Sequence, residues 1–391
     1  MKIIAISNLI PSENKNGAQL VSFYRLICMT KLNYSINLVC FHSKDKKDDY
    51  KAKQILEKNG ICVHFITWNI FEAAFNFLRS FITKDLPLQC ALFKSNKFSK
   101  KIKEIFKNKK IDIIYSVMIR VMPNISNTYC YNKKLVIEMI DSLGLNFLRS
   151  YQTTKGLKKW IFKKEQKKVS IYEKTLADKS YCTFVSSAID KKEIGSLKIK
   201  VIPNGVKIFN KQRKVRKKPI IVFSGNMYYR PNIEAIIWFI KYCWDNILQV
   251  EPQSQLLIVG NNPSSAIISV TKKYPSIKVT GKVLSVVNIL SQATVAIAPM
   301  QSGSGIQNKI LEAMSCAVPV VTTNIGFGDL KAVIDKDLFV EDNANNFAKK
   351  VIYLIKSIKQ NMVIGKNGQK YVRRHHNWEI LNKTFIDFLK N

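Results

Sequence analysis

What narrows this chain most is the alternation, from its first residues, of short continuous apolar runs with longer amphipathic stretches. Residues 3–7, 36–41, 61–66, 111–116, 135–140, 182–185 and 199–202 read as strands. Continuous apolar runs mark strands covered by helices on both faces, hence parallel sheet. Between them, helices are expected at 18–30, 50–59 and around 71–82. Another carries Phe98, Ile102, Ile105 and Phe106 on one face and lysine on the other, and a long basic helix covers about 157–176.

The second half repeats the rhythm. Strands are expected at 220–223, 255–259, 277–279, 294–298 and 318–322, with a weaker one at 338–340. The intervening helices fall near 232–249, 264–274, 285–292, 305–316, 345–357 and 361–375. Such spacing argues for βαβ units in an α/β protein. The domains divide as 1–206, a basic linker 207–219, and 220–376.

A chain of 391 residues with 47% apolar content can bury two cores, which excludes a disordered or fibrous protein. The formal net charge of +36 is mostly lysine. It is either a solvated surface or an attraction toward an anionic partner: membrane, nucleic acid or phosphorylated substrate. The eight cysteines are scattered singly without a CxxC pair, which argues against a disulfide scaffold or zinc site and fits a reducing compartment. The first ten residues read as a buried strand rather than a secretion signal, and no apolar run has the length of a membrane span.

Three glycine sites fall at strand ends in the second half: Gly225 with Asn226, Gly260, and Gly303-Ser304-Gly305. Each alone is an ordinary turn signal. Together they suggest a crevice where backbone and helix N-termini approach a phosphorylated ligand. The stretch 298–321, APMQSGSGIQNKILEAMSCAVPVV, is the most informative: a strand end, a small-residue loop, then a helix expected to begin at about Gly305. Lys309 and Glu312 lie one turn apart on it. That spacing suits a surface ion pair, or a lysine that neutralises phosphate beside a carboxylate that binds a ribose diol.

The second half resembles glycosyltransferase family 4, retaining enzymes of the GT-B fold, in particular the subset of bacterial surface-polysaccharide synthesis. The resemblance rests on VIPNGV, FSGNMYYRPN, LLIVG, VTGKV, AIAPMQSGSGIQNKILEAM, PVVTT followed by Gly326, and HHNWE, in that order over residues 201–379. The first half matches more weakly through EMIDSLGLNFLRS, YEK around Tyr172, and FVSSAID. It implies two Rossmann-like domains with parallel sheets facing across a cleft, a terminal helix at about 377–391 that packs back on the first domain, and a UDP-sugar, GDP-sugar or similar nucleotide sugar as donor. The acceptor is then a glycan, a lipid-linked glycan or a protein.

Residue by residue, the resemblance implies that Glu312 holds the donor ribose and that Gly305, Ile306, Gln307 and Asn308 approach sugar and diphosphate. Lys309 contacts phosphate or sugar, and Gly17 belongs to a glycine loop facing the donor. Two departures stand out. Ser304 occupies a position where many members carry a second Glu. Asn226 stands near a usual Arg, leaving Arg230 as a shifted diphosphate contact. Asp141, ending a strand, either orients an acceptor hydroxyl or caps the next helix. His42 is a weak candidate base. The resemblance further implies retention of configuration with neither metal nor cofactor, and closure of the domains to exclude water.

The basic helices near 97–110 and 155–174 suggest an anionic membrane surface as partner. The expected location is the cytoplasm, peripheral on the inner face of the plasma membrane. A nucleic-acid-binding protein is the alternative that +36 and KQRKVRKK raise, but no binding module is visible and the run falls at a linker. An inactive glycosyltransferase-like protein is a further alternative, kept open by Ser304 and Asn226.

Overall fold

The computed structural model describes residues 1–390 other than 14, 16, 44, 84, 127–132, 210–217 and 304–305. The chain divides into two compact units, Met1–Pro203 with Asn382–Asn391, and Asn204–Leu381. The first boundary falls three residues before the expected 206, and the return to the first unit falls inside the last helix, Trp378–Lys390, rather than at 377. Most of the expected basic linker lies outside the described residues.

The first unit is built on β1 (Lys2–Ser7), β2 (Ser35–Phe41), β3 (Ile61–Ile66), β4 (Ile113–Val117), β5 (Lys134–Ile140), β6 (Cys182–Val185) and β7 (Ile199–Val201). Their order is β3-β2-β1-β4-β5-β6-β7, with every pair parallel. Ile3, Ile4, Ala5 and Ile6 are all fully buried, as a central strand sandwiched between helix layers requires.

The second unit holds β8 (Ile220–Ser224), β9 (Gln255–Val259), β10 (Ile277–Gly281), β11 (Val295–Ala298), β12 (Val320–Thr322) and β13 (Phe339–Val340). These run parallel in the order β10-β9-β8-β11-β12-β13. In each sheet the order reverses beside the first strand, between β1 and β4 and between β8 and β11. Loops there splay apart and leave room for a ligand beyond the carboxyl ends.

Departures from the sequence reading include three elements. The expected helix 232–249 is Arg230–Phe239, a π-helical turn Ile240–Trp244, and Asp245–Val250. That turn accompanies the complete burial of Cys243 and Trp244 in the core. The helix expected from Gly305 begins at Asn308, with Gln307 as its N-cap residue. A helix, Leu143–Thr153, follows β5, and its cap is Ser142, not Asp141: the Ser142 hydroxyl accepts from the Leu145 amide. The distant Glu173 carboxylate accepts from the Leu143 and Gly144 amides and satisfies the remaining first-turn donors.

The chain's end is anchored in the first unit by a buried polar network. Arg25, fully buried on the helix Ala18–Lys31, donates from Nε to Glu138 Oε2 on β5 at 3.2 Å and from Nη1 to Asn382 Oδ1 at 2.7 Å. Tyr115 donates to the same Glu138 oxygen, and Phe385 lies under the guanidinium at 4.7 Å. Burial pushes the Glu138 pKa up and Arg25 opposes it. Removing one partner strands the other charge, at a cost of about 3–5 kcal/mol. Arg25→Met should therefore lower the urea midpoint sharply, and Arg25→Met/Glu138→Leu should recover much of the loss. Equal destabilisation in the single and double variants would show that the pair is not what matters.

Candidate functional site

The carboxyl edge of the second sheet brings the glycine sites together. The Gly225 amide donates to Val259 O at 2.9 Å, and the Met227 amide to Asn261 O at 3.0 Å, so the loops after β8 and β9 run side by side. A Cβ on Gly260 would lie 1.6 Å from Gly225 O, a separation no side chain allows. Here glycine is required by close backbone approach. Gly303, after β11, reaches the same place from the other side. A Cβ there would lie 3.8 Å from Pro231 Cβ, at the start of the helix Arg230–Phe239. Ser304 and Gly305 lie outside the described residues.

Asn232, buried in the first turn of that helix, ties the pieces together. Its Nδ2 donates to Asn226 O at 2.9 Å, and its Oδ1 accepts from Lys309 Nζ at 2.5 Å. Lys309 also lies 4.5 Å from the centre of the Phe223 ring. The i,i+3 ion pair with Glu312 does not form; Lys309 reaches across to Asn232 instead. Glu312 has no hydrogen bond or ion pair among the described residues. Both side chains are half-buried. Burial pushes the Lys309 pKa down to about 7 and the Glu312 pKa up to about 7, each opposed by the other's charge. A lysine and a partnerless carboxylate, one turn apart at a helix N-terminus, make a polar site without an internal solution.

The other expected residues take varied roles. Arg230 is exposed and pairs with Glu234 at 2.7 Å, and Glu234 also accepts from Ser302 Oγ at 2.6 Å. The Asn226 side chain accepts from the Tyr228 amide. Asn308 Oδ1 accepts from Asn204 Nδ2 at 3.3 Å, which brings the PNG turn to this helix. Ile306 packs against the unit's core, and the Gln307 carbonyl accepts from the Ile310 amide. His376 bonds Asn204 O and the Tyr371 hydroxyl, and burial holds its pKa down to about 4, so it braces the PNG turn as a neutral ring. Asn232 was missed in the sequence; its one signal was a polar residue directly after a helix-starting Arg-Pro.

Gly17 and Asp141 lie in the first unit. Gly17, at φ 60°, precedes the helix after β1, and a Cβ there would meet nothing. Asp141 accepts from Ser186 Oγ at 3.1 Å. Burial and, next, the Asp190 charge raise its pKa. The preceding Ile140 has φ 69°, and Met118 at the end of the neighbouring β4 has φ 65°. Left-handed backbone at a β-branched residue is strained, and such strain gathers at functional edges. His42 is stacked on Phe65 and held by Asp49.

Residues 218–357 match the family model described as glycosyl transferases group 1. That span covers β8 to the helix after β13, and so the whole polar site. HepE of Anabaena in complex with UDP and glucose is similar, at TM-score 0.66 and 16% identity over 100% of this chain and 99% of that one.

The fold is GT-B. A variant of S. aureus TarM, crystallised with Fondaparinux, alpha-GlcNAc-glycerol and UDP, gives TM-score 0.71 at 14% identity, covering both chains fully. Sucrose-phosphate synthase of Thermosynechococcus elongatus gives 0.72 at 14%, over 100% of this chain and 98% of that one. A protein of the cps region of Klebsiella pneumoniae, described as uncharacterized, is 22% identical over 96% of both chains.

The site makes two predictions. Asn232→Ala leaves the Lys309 ammonium without its acceptor, at a cost of about 1–3 kcal/mol in denaturant unfolding. Glu312→Gln tests the raised carboxyl pKa. The folded protein keeps that proton from about 4.5 up to about 7, so ionisation costs it stability as pH rises through that window. The parent should therefore lose stability relative to Glu312→Gln between those values. A melting-temperature difference independent of pH would show that the carboxyl is not perturbed.

Proposed function

We propose that this protein is a retaining glycosyltransferase of family 4 type, moving a sugar from a nucleotide-sugar donor to a glycan, lipid-linked or protein acceptor. The observation that carries the reading is the Lys309–Glu312 pair at the N-terminus of the helix Asn308–Ser315, inside the segment that matches group 1 glycosyl transferases. Glu312, without a partner among the described residues, is free to accept two hydroxyls of a ribose. Lys309 and the helix amides face the charge that develops on a departing diphosphate. That HepE and the TarM variant were crystallised with UDP makes a uridine nucleotide the first donor to try.

In the proposed reaction the acceptor oxygen bonds to the anomeric carbon as the bond from that carbon to the diphosphate oxygen breaks. Retention follows if attack comes from the face the diphosphate leaves, and the acceptor proton then passes to a phosphate oxygen. No metal is needed, because Lys309 and the helix N-terminus supply positive charge. Gly17 is assigned to a loop facing the donor, and Asp141 to the acceptor side, where it orients the hydroxyl. The relative in the cps region supports a place in cell-surface polysaccharide synthesis.

A panel of nucleotide sugars, read by donor hydrolysis and transfer, tests the reading. One donor should be turned over, and Glu312→Ala should lower kcat/KM at least about a hundredfold. UDP affinity should fall as pH rises past Lys309's pKa of about 7, because the ammonium loses its charge, and Lys309→Met should abolish that dependence. The absence of turnover and of nucleotide binding across the panel would remove the proposal, and salt-sensitive DNA binding in their place would favour the nucleic-acid alternative.

A further inference from the structure

One helix of the first unit is turned inside out. In Ile70–Thr83 the buried residues are small, and the half-buried ones are Glu72, Asn76 and Phe77. Ala73 and Ser80 are buried, and Glu72 accepts from Ser95 Oγ and the Asn96 amide. Asn76 donates to Lys94 O, and Ser80 donates to Leu86 O. The large apolar residues other than Phe77 face outward. Phe71 is 82% exposed, Phe75 66%, Leu78 62% and Ile82 76%, at helical spacings of four, three and four. An amphipathic helix that spends its polar face on the protein and leaves its apolar face uncovered marks an interaction surface.

The neighbouring helix, Gly156–Lys179, identifies the occupant. Its exposed Trp160 lies 6.5 Å from Phe81, and Lys164 sits 3.7 Å from the Trp160 ring centre. Lys158, Lys159, Lys163, Lys164 and Lys167 are exposed on the same helix, and its one nearby carboxylate, Glu165, is buried and accepts from the Leu88 amide. A second copy docked on the stripe would bring these lysines toward their own counterparts on a chain of net charge +36. An anionic lipid surface instead neutralises them while the apolar stripe enters the headgroup boundary and Trp160 sits at its level. Among the described residues no helix is long and apolar enough to cross a membrane.

We infer that Phe71, Phe75, Leu78 and Ile82, flanked by Trp160 and the lysines beside it, form a monotopic docking face for an anionic bilayer. The sequence reading had placed membrane contact on the basic helices alone. In the structure Phe98, Ile102 and Ile105 of the helix Asn96–Asn108 are buried in the core, so that helix offers charge without apolar surface.

The test is sedimentation of the full chain with phosphatidylcholine vesicles and with vesicles that are one-third phosphatidylglycerol, together with light scattering of the free protein. The parent should pellet with the anionic vesicles only. Phe71→Ser/Phe75→Ser should bind at least about tenfold more weakly with an unchanged melting temperature, since both side chains are exposed. Lys159→Gln/Lys163→Gln should weaken binding and reduce its salt dependence. Failure to bind anionic vesicles, or equal binding by the serine variant, overturns the inference. So does a parent dimer that becomes monomeric in the serine variant, which would make the stripe an interface between copies. Nucleotide-sugar turnover is read separately, so a loss here leaves the proposed reaction untouched.

Discussion

Parallel pairing is the constraint from which the rest of this structure follows. Strands that all run one way must be joined by crossovers, and each crossover lays a helix over the sheet. Every strand then ends on the same edge, and most crossover helices start there. In the second unit this gathers Gly225, Gly260, Gly303 and the N-termini of Arg230–Phe239 and Asn308–Ser315 into one small region. In the first unit it gathers Gly17, Met118 and Asp141 in the same sense. The site is therefore a consequence of sheet direction before any individual side chain is considered.

Within that region, burial and charge work against each other. Lys309 and Glu312 are both held where desolvation disfavours their ionised forms, yet they do not pair directly. Lys309 is satisfied by an amide oxygen, a neutral partner that fixes its position without cancelling its charge. Glu312 has none among the described residues. A structure selected for stability alone would pair these groups or replace them. Under the proposed reading, their separation leaves electrostatic capacity for a ligand that supplies a phosphate to one and hydroxyls to the other.

A similar reversal of the usual economy occurs on the surface of the first unit. The helix Ile70–Thr83 hydrogen-bonds through its polar face and exposes its aromatic one. Arg25 and Glu138 do the opposite, placing charge in the core where Asn382 and Phe385 of the last helix close around it. Both arrangements run against average hydrophobic sorting. The buried one fastens the chain's end, and the exposed one leaves an apolar stripe toward solvent.

Much of the fold was legible because hydrophobic periodicity is a local property. The apolar runs at 3–7 and 220–223 fall within β1 and β8, which are buried almost throughout because helices cover both faces of a central strand. Element ends were less legible. Leu143–Thr153 is capped partly by Glu173, a residue 30 positions from Leu143 that no local window includes.

The amphipathic pattern of 71–82 showed that a face existed but not which way it would turn. That was decided by Glu72, Asn76 and Ser80 finding backbone partners after β3. The sequence by itself determined the alternating architecture and the stretch in which Lys309 and Glu312 sit. Only the tertiary structure decided that Lys309 would reach Asn232, 77 residues away, rather than its neighbour Glu312. The physical reason is that strand order, not sequence spacing, sets which helix N-termini meet at the sheet edge. Hydrogen-bond partners across such an edge are chosen by topology.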